Sequence, residues 1–249
     1  MVRPIQVGTV RVRRPAALPG REQAGLKRPI AIAIDGPVAS GKTAVGMLVA
    51  ERLGCRFLDT GLMYRAITHV ALKRGVGLED AERLAELTER AEIRLTRSSG
   101  RDRLSVDGDD VTERLTDSEV ERGVSLVAAI SGVRRALVGQ QRDIARGAPI
   151  VMAGRDIGTV VLPDADAKVY LTASLEERAR RRHAERGDGQ GSGYDLVLEE
   201  LKRRDKIDTE RLDSPLKPAE DAIVLITDGE TVQDLARLIL SYVEKGRKT

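Results

Sequence analysis

The sequence is poor in the residues that mark several classes of protein. It has no tryptophan, one phenylalanine, four tyrosines, two histidines and a single cysteine among 249 residues. One cysteine, Cys55, cannot form a disulfide within the chain, which favours a reducing cytoplasm. No apolar run reaches the roughly 20 residues of a membrane-spanning helix, and no apolar signal region precedes the first predicted strand. We therefore expect a soluble cytoplasmic protein with no membrane partner.

Basic residues are concentrated at the N-terminus. The chain has a formal net charge of +3, and residues 1–28 contain seven basic residues and one acidic residue. This segment therefore has a charge of +6 and the remainder a charge of −3, whereas a nucleic-acid surface needs a net basic face. We expect a monomer with no specific nucleic-acid partner, and a disordered basic tail over residues 1–28. An arm that touches RNA and an organelle-targeting peptide are alternative interpretations of this tail.

A phosphate-binding loop is predicted directly after the first apolar run. The run ends at Asp35, the next eight residues read G-P-V-A-S-G-K-T, and a helical apolar pattern follows. Glycines in the turn allow backbone N–H groups to converge on an anion, and a helix N-terminus adds a favourable dipole. Lys42 is expected to reach the β- and γ-phosphates and Thr43 to offer its hydroxyl to Mg²⁺. The predicted nucleotide-triphosphate site comprises Gly36, Pro37, Val38, Ala39, Ser40, Gly41, Lys42, Thr43 and Ala44.

Four more apolar runs predict the rest of a parallel sheet. Separated by segments with helical periodicity, they lie at residues 55–58, 150–153, 167–171 and 222–226. Thr60 and Arg65 follow the first of these runs, and Arg155 and Asp156 follow the second. Open α/β sheets bind ligands at the carboxyl ends of their strands, so these side chains are expected to share one edge. Apolar alternation between residues 93 and 111 predicts a small antiparallel β unit inserted between the parallel strands.

The arginines predict chemistry on phosphates. A helix that contains residues 178–182 is dense in arginine, and the glycine-rich segment 186–194 is expected to be a flexible loop. Phosphoryl transfer needs positioning and charge stabilisation, and planar guanidinium groups can bind one phosphate with two hydrogen bonds. A phosphate acceptor is already an anion and needs no general base, which fits the absence of a motif around His69 or His183. The loop would close over the donor and exclude water.

The combined motifs resemble those of the bacterial cytidylate kinases over residues 30–249. The matching motifs are I-D-G-P-x-x-S-G-K-T in the P-loop, D-T-G-x-M-Y-R at Asp59–Arg65, the E-V, S, V-A and V-R elements between Glu119 and Arg134, G-R-D-I-G-T-V-V at Gly154–Val161, R-D-x-x-D-x-x-R at Arg204–Arg211, and S-P-L. The resemblance implies a three-layer α/β P-loop NTPase fold with a five-stranded parallel sheet. It also implies a kinase domain over residues 29–249, with a monophosphate-binding insert at about 60–125 that contains the antiparallel β unit, and a short lid at about 176–200.

The same resemblance implies how the base and sugar of CMP are recognised. Ser125, Arg134 and Asp156 match the residues that contact the cytosine edge. A carboxylate there can accept from the 4-amino group, while an arginine and a hydroxyl donate to N3 and O2. Asp208, with Arg204, matches the position that binds the ribose hydroxyls.

The phosphate-binding residues are implied in the same way. Arg65, Arg155 and Arg211 match the arginines that grip the acceptor phosphate, and with Lys42 they are the predicted catalytic residues. The remaining assignments are Thr60 and Tyr64 to the CMP site and Arg182 to the ATP site.

The implied activity is transfer of a phosphoryl group from ATP, with Mg²⁺, to CMP and dCMP, giving CDP and dCDP. A P-loop kinase for another small acceptor, such as AMP or shikimate, is the nearest alternative. A catalytically silent nucleotide-binding switch protein is an alternative from another class, but the intact Lys42, Thr43 and arginine set argues against it. A GTPase is disfavoured because the sequence contains no N-K-x-D guanine-reading motif.

Overall fold

The computed structural model describes residues 12–13, 29–98, 101–186 and 193–246, and these residues form a six-stranded sheet, a separate three-stranded sheet and the helices around them. In chain order the strands are β1 (Val12–Arg13), β2 (Ala31–Asp35), β3 (Arg56–Asp59), β4 (Ile93–Ser98), β5 (Arg101–Val106), β6 (Asp109–Asp110), β7 (Ile150–Gly154), β8 (Ala167–Thr172) and β9 (Ile223–Ile226). The α-helices are α1 (Lys42–Leu53), α2 (Thr60–Lys73), α3 (Ala81–Arg90), α4 (Ser118–Ala129), α5 (Ser131–Arg146), α6 (Leu175–Arg186), α7 (Tyr194–Glu210) and α8 (Val232–Gly246).

The larger sheet has the strand order β1-β9-β8-β2-β7-β3. Strands β2, β3, β7, β8 and β9 run parallel, which confirms the predicted five-stranded parallel sheet. Strand β2 lies between β7 and β8, so the loop after β2 is beside the carboxyl ends of its two neighbours. The sheet therefore brings the predicted P-loop next to the turn that follows β7.

Strand β2 shows how the sequence produces three layers. Its side chains alternate in direction, because successive residues of a strand point to opposite faces of the sheet. Ala31 and Ala33 face a core formed with α2, α3 and α5, whereas Ile32 and Ile34 face a second core formed with α1 and α8. All four side chains are buried. The sheet is thus covered on both sides, as the apolar composition of its strands predicts.

Helix α1 lies very close to the sheet at one point. A Cβ atom placed on Gly46 of α1 would be 2.5 Å from Cε2 of Phe57 in strand β3. Such a separation is far below van der Waals contact, so only glycine fits at position 46 without a movement of the helix or of the ring.

The insert between β3 and β7 contains the predicted antiparallel β unit. Strands β4, β5 and β6 form a three-stranded sheet, with Ile93 opposite Val106 and Leu95 opposite Leu104. Leu104 and Val106 are buried in the same core as helix α2. The insert is therefore packed onto the body of the protein by the apolar face of its own hairpin.

The structure describes only part of two segments that were predicted to be irregular, the N-terminal tail and the glycine-rich loop. Within the tail predicted to be disordered, Val12 and Arg13 form β1 and pair antiparallel with Leu225 and Val224 of β9, so the prediction fails for these two residues. The rest of the tail lies outside the described residues. So does most of the predicted glycine-rich loop, at residues 187–192. Among the helices that are described, none combines the length and the apolar character that crossing a membrane would require.

Candidate active site

A cavity of about 490 Å³ lies at the carboxyl edge of the parallel strands. Every residue predicted to bind CMP lines it: Thr60, Tyr64, Arg65, Ser125, Arg134, Arg155, Asp156, Arg204, Asp208 and Arg211. The predicted ATP residues that line it are Val38, Ala39, Gly41, Lys42, Thr43, Ala44 and Arg182. Gly36, Pro37 and Ser40 are not among the lining residues. One cavity therefore joins the predicted donor and acceptor sites.

The loop after β2 has the backbone geometry that the motif predicts. Gly36 and Gly41 have φ angles of +150° and +88°, and a Cβ on Gly36 would lie 2.0 Å from the carbonyl oxygen of Leu171. Lys42 Nζ donates to the carbonyl oxygen of Pro37 at 2.6 Å. Burial is the main cause that lowers the pKa of Lys42, and the nearby positive charge of Arg155 lowers it further. The ammonium group is thus held against the loop at the start of α1, inside the cavity.

Thr43 faces a carboxylate that sequence reasoning did not assign to the site. Its Oγ1 donates to Asp59 Oδ2 at 2.7 Å, and Asp59 Oδ1 accepts from the backbone N–H of Gly61 at 3.0 Å. Asp59 caps helix α2 and lines the cavity. The available signal was its place at the end of a parallel strand, the edge at which such sheets bind ligands.

The pair Thr43 and Asp59 is suited to a hard cation. Mg²⁺ prefers oxygen ligands and is usually held by one or two protein oxygens together with substrate phosphates and water. Among the described residues, no group of three or more His, Cys, Asp or Glu side chains could hold a metal ion. A hydroxyl beside a carboxylate at the P-loop therefore fits Mg²⁺ that arrives with a nucleotide.

Arg134 and Asp156, both predicted to contact the base, are directly paired with each other. Arg134 NH2 donates to Asp156 Oδ2, and both side chains are buried. The guanidinium carbon of Arg134 also lies 5.5 Å from the centre of the Tyr64 ring, a favourable position for a cation. Burial raises the pKa of Tyr64 to about 12, so the phenol keeps its proton. Asp156 Oδ1 lies 3.9 Å from Arg211 NH2.

Ser125 and Thr60 both line the cavity, and Thr60 also has a contact within the fold. Thr60 Oγ1 donates to the carbonyl oxygen of Ala153 at 3.0 Å and so ties α2 to β7. Ser125 lines the cavity from helix α4, at the same wall as Val124 and Ala128. The structure therefore gives Thr60 a contact within the fold, in addition to its place on the wall.

Helix α7 and the residue that follows it supply three of the predicted site residues. Arg204 and Asp208 are one turn apart, and Arg211 follows the last residue of the helix. Asp208 Oδ2 accepts from Arg155 Nε at 2.7 Å. Although burial opposes its charge, Arg155 has a raised pKa because Asp208 and other carboxylates stabilise the guanidinium. Arg211 donates through Nε to the carbonyl oxygen of Ser214 at 2.6 Å, whereas its buried NH2 has no hydrogen-bond partner within the described residues.

Asp35 fixes the turn that presents Arg155 and Asp156. Its two carboxylate oxygens accept from the backbone N–H groups of Ile157 and Gly158, each at 2.7 Å. These residues begin a single π-helical turn, Ile157–Val161, that follows the arginine and the aspartate. Burial raises the pKa of Asp35 to about 6. The sequence did not predict this role, because Asp35 is already part of the P-loop motif and no local pattern links it to residues 157 and 158.

Glu121 is a further residue that the sequence did not single out. It lies on helix α4, and its carboxylate contacts Arg65 of α2 and Arg182 and Arg186 of α6. Its backbone carbonyl oxygen accepts from Arg204 NH2. Four arginines from three helices therefore meet at one residue behind the wall of the cavity.

Comparisons with known proteins show which sequences and structures the chain is similar to. A family model described as cytidylate kinase matches residues 32–245. A cytidylate kinase of Bacillus subtilis (strain 168) is 44% identical over 221 residues, which is 88% of this chain and 99% of that protein. A cytidylate kinase of Desulforamulus reducens is 47% identical over 220 residues, covering 87% of this chain and 97% of that protein. A solved shikimate kinase from Acinetobacter baumannii is 18% identical, with a TM-score of 0.41 and coverage of 90% of this chain and 97% of that one.

Proposed function

The chain belongs to the cytidylate kinase family, and we propose that it transfers the γ-phosphoryl group of ATP to CMP and dCMP. The products would be CDP and dCDP, together with ADP. The observation that carries the proposal is one cavity in which a P-loop lysine and four arginines, Arg65, Arg155, Arg182 and Arg211, face the same space. Such a set suits a reaction between two phosphate groups, because it can balance their negative charges.

The donor is proposed to bind at the loop after β2. Backbone N–H groups at the start of α1 would receive the phosphates, and Lys42 would move from the Pro37 carbonyl to the β- and γ-phosphate oxygens. Thr43 and Asp59 would hold Mg²⁺, which supplies positive charge at the phosphates when it is bound. The Thr43 hydroxyl would keep its proton and offer an oxygen lone pair to the cation, and the Asp59 carboxylate, which now accepts from that hydroxyl, would offer its charge.

The acceptor is proposed to bind between α4, α7 and the turn after β7. Arg65, Arg155 and Arg211 would orient the CMP phosphate, whose oxygen is already an anion and needs no general base. Asp208 would accept from the ribose hydroxyls while it holds Arg155 in place. The absence of a 2′-hydroxyl in dCMP removes one of these contacts and leaves the phosphate contacts unchanged.

The base is proposed to be read by the Arg134–Asp156 pair and Ser125. Asp156 would accept from the 4-amino group of cytosine, while Arg134 and Ser125 donate to the ring acceptors. Because Arg134 is already bound to Asp156 and lies over Tyr64, its position would be fixed before the nucleotide arrives. Uracil presents a carbonyl in place of the amine, and mismatched buried polar groups can discriminate strongly between such ligands.

The lobes that would enclose the substrates are proposed to be the insert at about 60–125 and the lid at about 176–200. In the described part of the lid, Ala179 of α6 packs against Val197 and Leu201 of α7, and Val38 of the P-loop packs against this cluster. The lid helices would therefore respond directly to the loop that binds the donor, and their closure would exclude water. We expect the enzyme to act as a monomer on the nucleotide pool of the cytoplasm.

A coupled ADP-release assay across CMP, dCMP, UMP, AMP and shikimate, with ATP and Mg²⁺, tests the proposal. We expect CMP and dCMP to give the highest kcat/KM. Preference for AMP or shikimate would support a P-loop kinase for another acceptor. If ATP and CMP both bind but no acceptor causes ADP release, the protein is a nucleotide-binding switch.

A further inference from the structure

Glu121 lies where the acceptor lobe meets the lid. Its side chain is 16% exposed, and its carboxylate has arginines on two sides. From α2, Arg65 NH1 lies 3.3 Å from Oε1, and from α6, Arg186 NH2 lies 3.3 Å from Oε2. Arg182 NH2, also from α6, donates to Oε1. One carboxylate oxygen, Oε1, is thus shared by an arginine of the acceptor site and an arginine of the lid.

The arginines around Glu121, which we call the Glu121 cluster, keep its carboxylate negatively charged. Burial disfavours the carboxylate, but Arg182, Arg65 and Arg204 outweigh it, so the pKa of Glu121 is lowered. Carboxylates held by guanidinium groups form charge-assisted hydrogen bonds, which are stronger than those between neutral groups. The contacts of Glu121 are therefore suited to fix the directions of the arginine side chains.

The arginines of the cluster retain donors for a ligand. Arg65 and Arg182 line the cavity, whereas Glu121 is not one of its lining residues. A guanidinium has five N–H donors. Arg182 uses NH1 and NH2 for Glu185 and Glu121, and its buried Nε has no hydrogen-bond partner in the part of the chain that is described. Arg65 makes its bonds to Leu115 and Glu121 through NH1.

We propose that Glu121 is a positioning residue that couples the acceptor-phosphate site to the lid. By holding Arg65 and Arg182 on one carboxylate oxygen, it makes binding of the monophosphate and closure of the lid over the donor favour one another. Glu121 touches no substrate in this scheme and acts through the two arginines. This inference rests on the proposed function, because it presumes a monophosphate acceptor and a triphosphate donor.

The test compares Glu121→Gln with the matched control Glu200→Gln. The glutamine side chain in Glu121→Gln would keep the size and one oxygen acceptor but lose the charge. Glu200 also pairs with a lid arginine, Arg186, at 2.7 Å, but it lies on α7, and among the described contacts it reaches neither Arg65 nor Arg182. Each protein is checked by circular dichroism and thermal unfolding. The Kd of CMP is then measured by calorimetry, with and without the non-hydrolysable ATP analogue AMP-PNP and Mg²⁺.

Coupling is the ratio of the two CMP dissociation constants, and a coupled pair of sites typically gives about fivefold or more. We expect the analogue to tighten CMP binding in the wild type and in Glu200→Gln by such a factor. In Glu121→Gln the ratio should fall to within about twofold of 1. A merely local role at Arg65 would weaken CMP equally in both conditions and leave the ratio unchanged, which would overturn the proposal. A tighter CMP complex with an unchanged ratio would mean instead that Glu121 competes with phosphate, and would also overturn it.

Two further results keep the inference separate from the proposed function. If Glu121→Gln does not fold, Glu121→Asp takes its place, since it keeps the charge but is too short to hold both arginines. A coupling ratio in Glu121→Asp equal to that of the wild type would overturn the inference. If wild-type protein releases no ADP with CMP, the proposed function fails. If it turns over normally and shows no coupling between the two ligands, only the inference fails.

Discussion

Arg155 and Asp208 are joined by a hydrogen bond of 2.7 Å from Nε to Oδ2, which ties the turn after β7 to helix α7. The two residues are 53 positions apart in the chain. This contact fixes the position of Arg155, the proposed phosphate-binding group, relative to Asp208, the proposed sugar-binding group. A change at either one should therefore affect the position of the other.

Asp208→Ala should weaken CMP binding by roughly 1–3 kcal/mol, the range for removing one partner of a buried hydrogen bond. The proposed contact is to the sugar and not to the base, so the loss should be as large with UMP as with CMP. Calorimetric Kd values for both nucleotides provide the measurement. Asp208→Asn is the matched control, because it keeps an acceptor for Arg155 and should lose less. An unchanged CMP affinity in Asp208→Ala would show that Asp208 serves only the fold.

Lys42→Ala should abolish phosphoryl transfer and leave CMP binding nearly intact. The lysine is held at the donor loop, 2.6 Å from the Pro37 carbonyl oxygen, and its proposed role is at the β- and γ-phosphates. ADP release measures the first effect and the Kd of CMP the second. Near-normal turnover by this variant would remove the assignment of the loop as the donor site.

Asp156→Asn should narrow the preference for CMP over UMP. An amide can donate to the uracil carbonyl, which the carboxylate would repel. The measurement is kcat/KM for both nucleotides in the wild type and the variant. Thermal unfolding serves as a control, because the substitution removes the charge that Arg134 now faces, and a buried charge without its partner is destabilising. A wild type that does not distinguish the two bases, or an unchanged ratio in a folded variant, contradicts the assignment.

Asp35 should make the stability of the protein depend on pH. Its pKa is raised from 3.8 to about 6 in the folded state, so between these values the folded protein binds more protons than the unfolded chain. The free energy of unfolding should therefore fall as pH rises through this window, by about 3 kcal/mol for this one group. Urea unfolding of the wild type and Asp35→Asn at pH 4, 5, 6 and 7 isolates the contribution. A stability difference between the two proteins that is constant with pH would contradict this prediction.

The sequence predicted the sheet and the P-loop because their signals are local. The alternation in Ala31–Asp35 and the spacing of Gly36 and Gly41 depend only on neighbouring residues and on backbone geometry. The position of the site at the strand ends followed from the same reasoning, since parallel strands end at one edge. All ten residues predicted to bind CMP line the cavity found there.

The contacts among the site residues could not be predicted in the same way. Glu121 and Arg182 are 61 positions apart, and Arg134 and Asp156 are 22 apart. Whether such side chains meet depends on how helices pack, which no local pattern specifies. The π-helical turn after Asp156 is also held from a distance, by Asp35 at the end of β2. The sequence therefore predicted which residues line the cavity better than which of them are bonded to each other.

The close approach of Gly46 to Phe57 should restrict which residues can occur at these two positions during evolution. Neither residue has a polar side chain, yet the contact sets how near α1, which begins with Lys42 and Thr43, lies to β3, which ends with Asp59. A larger residue at position 46 would fit only opposite a smaller one at position 57. Among related chains these two positions should therefore covary, and replacement of either one alone should be selected against through the geometry of the P-loop.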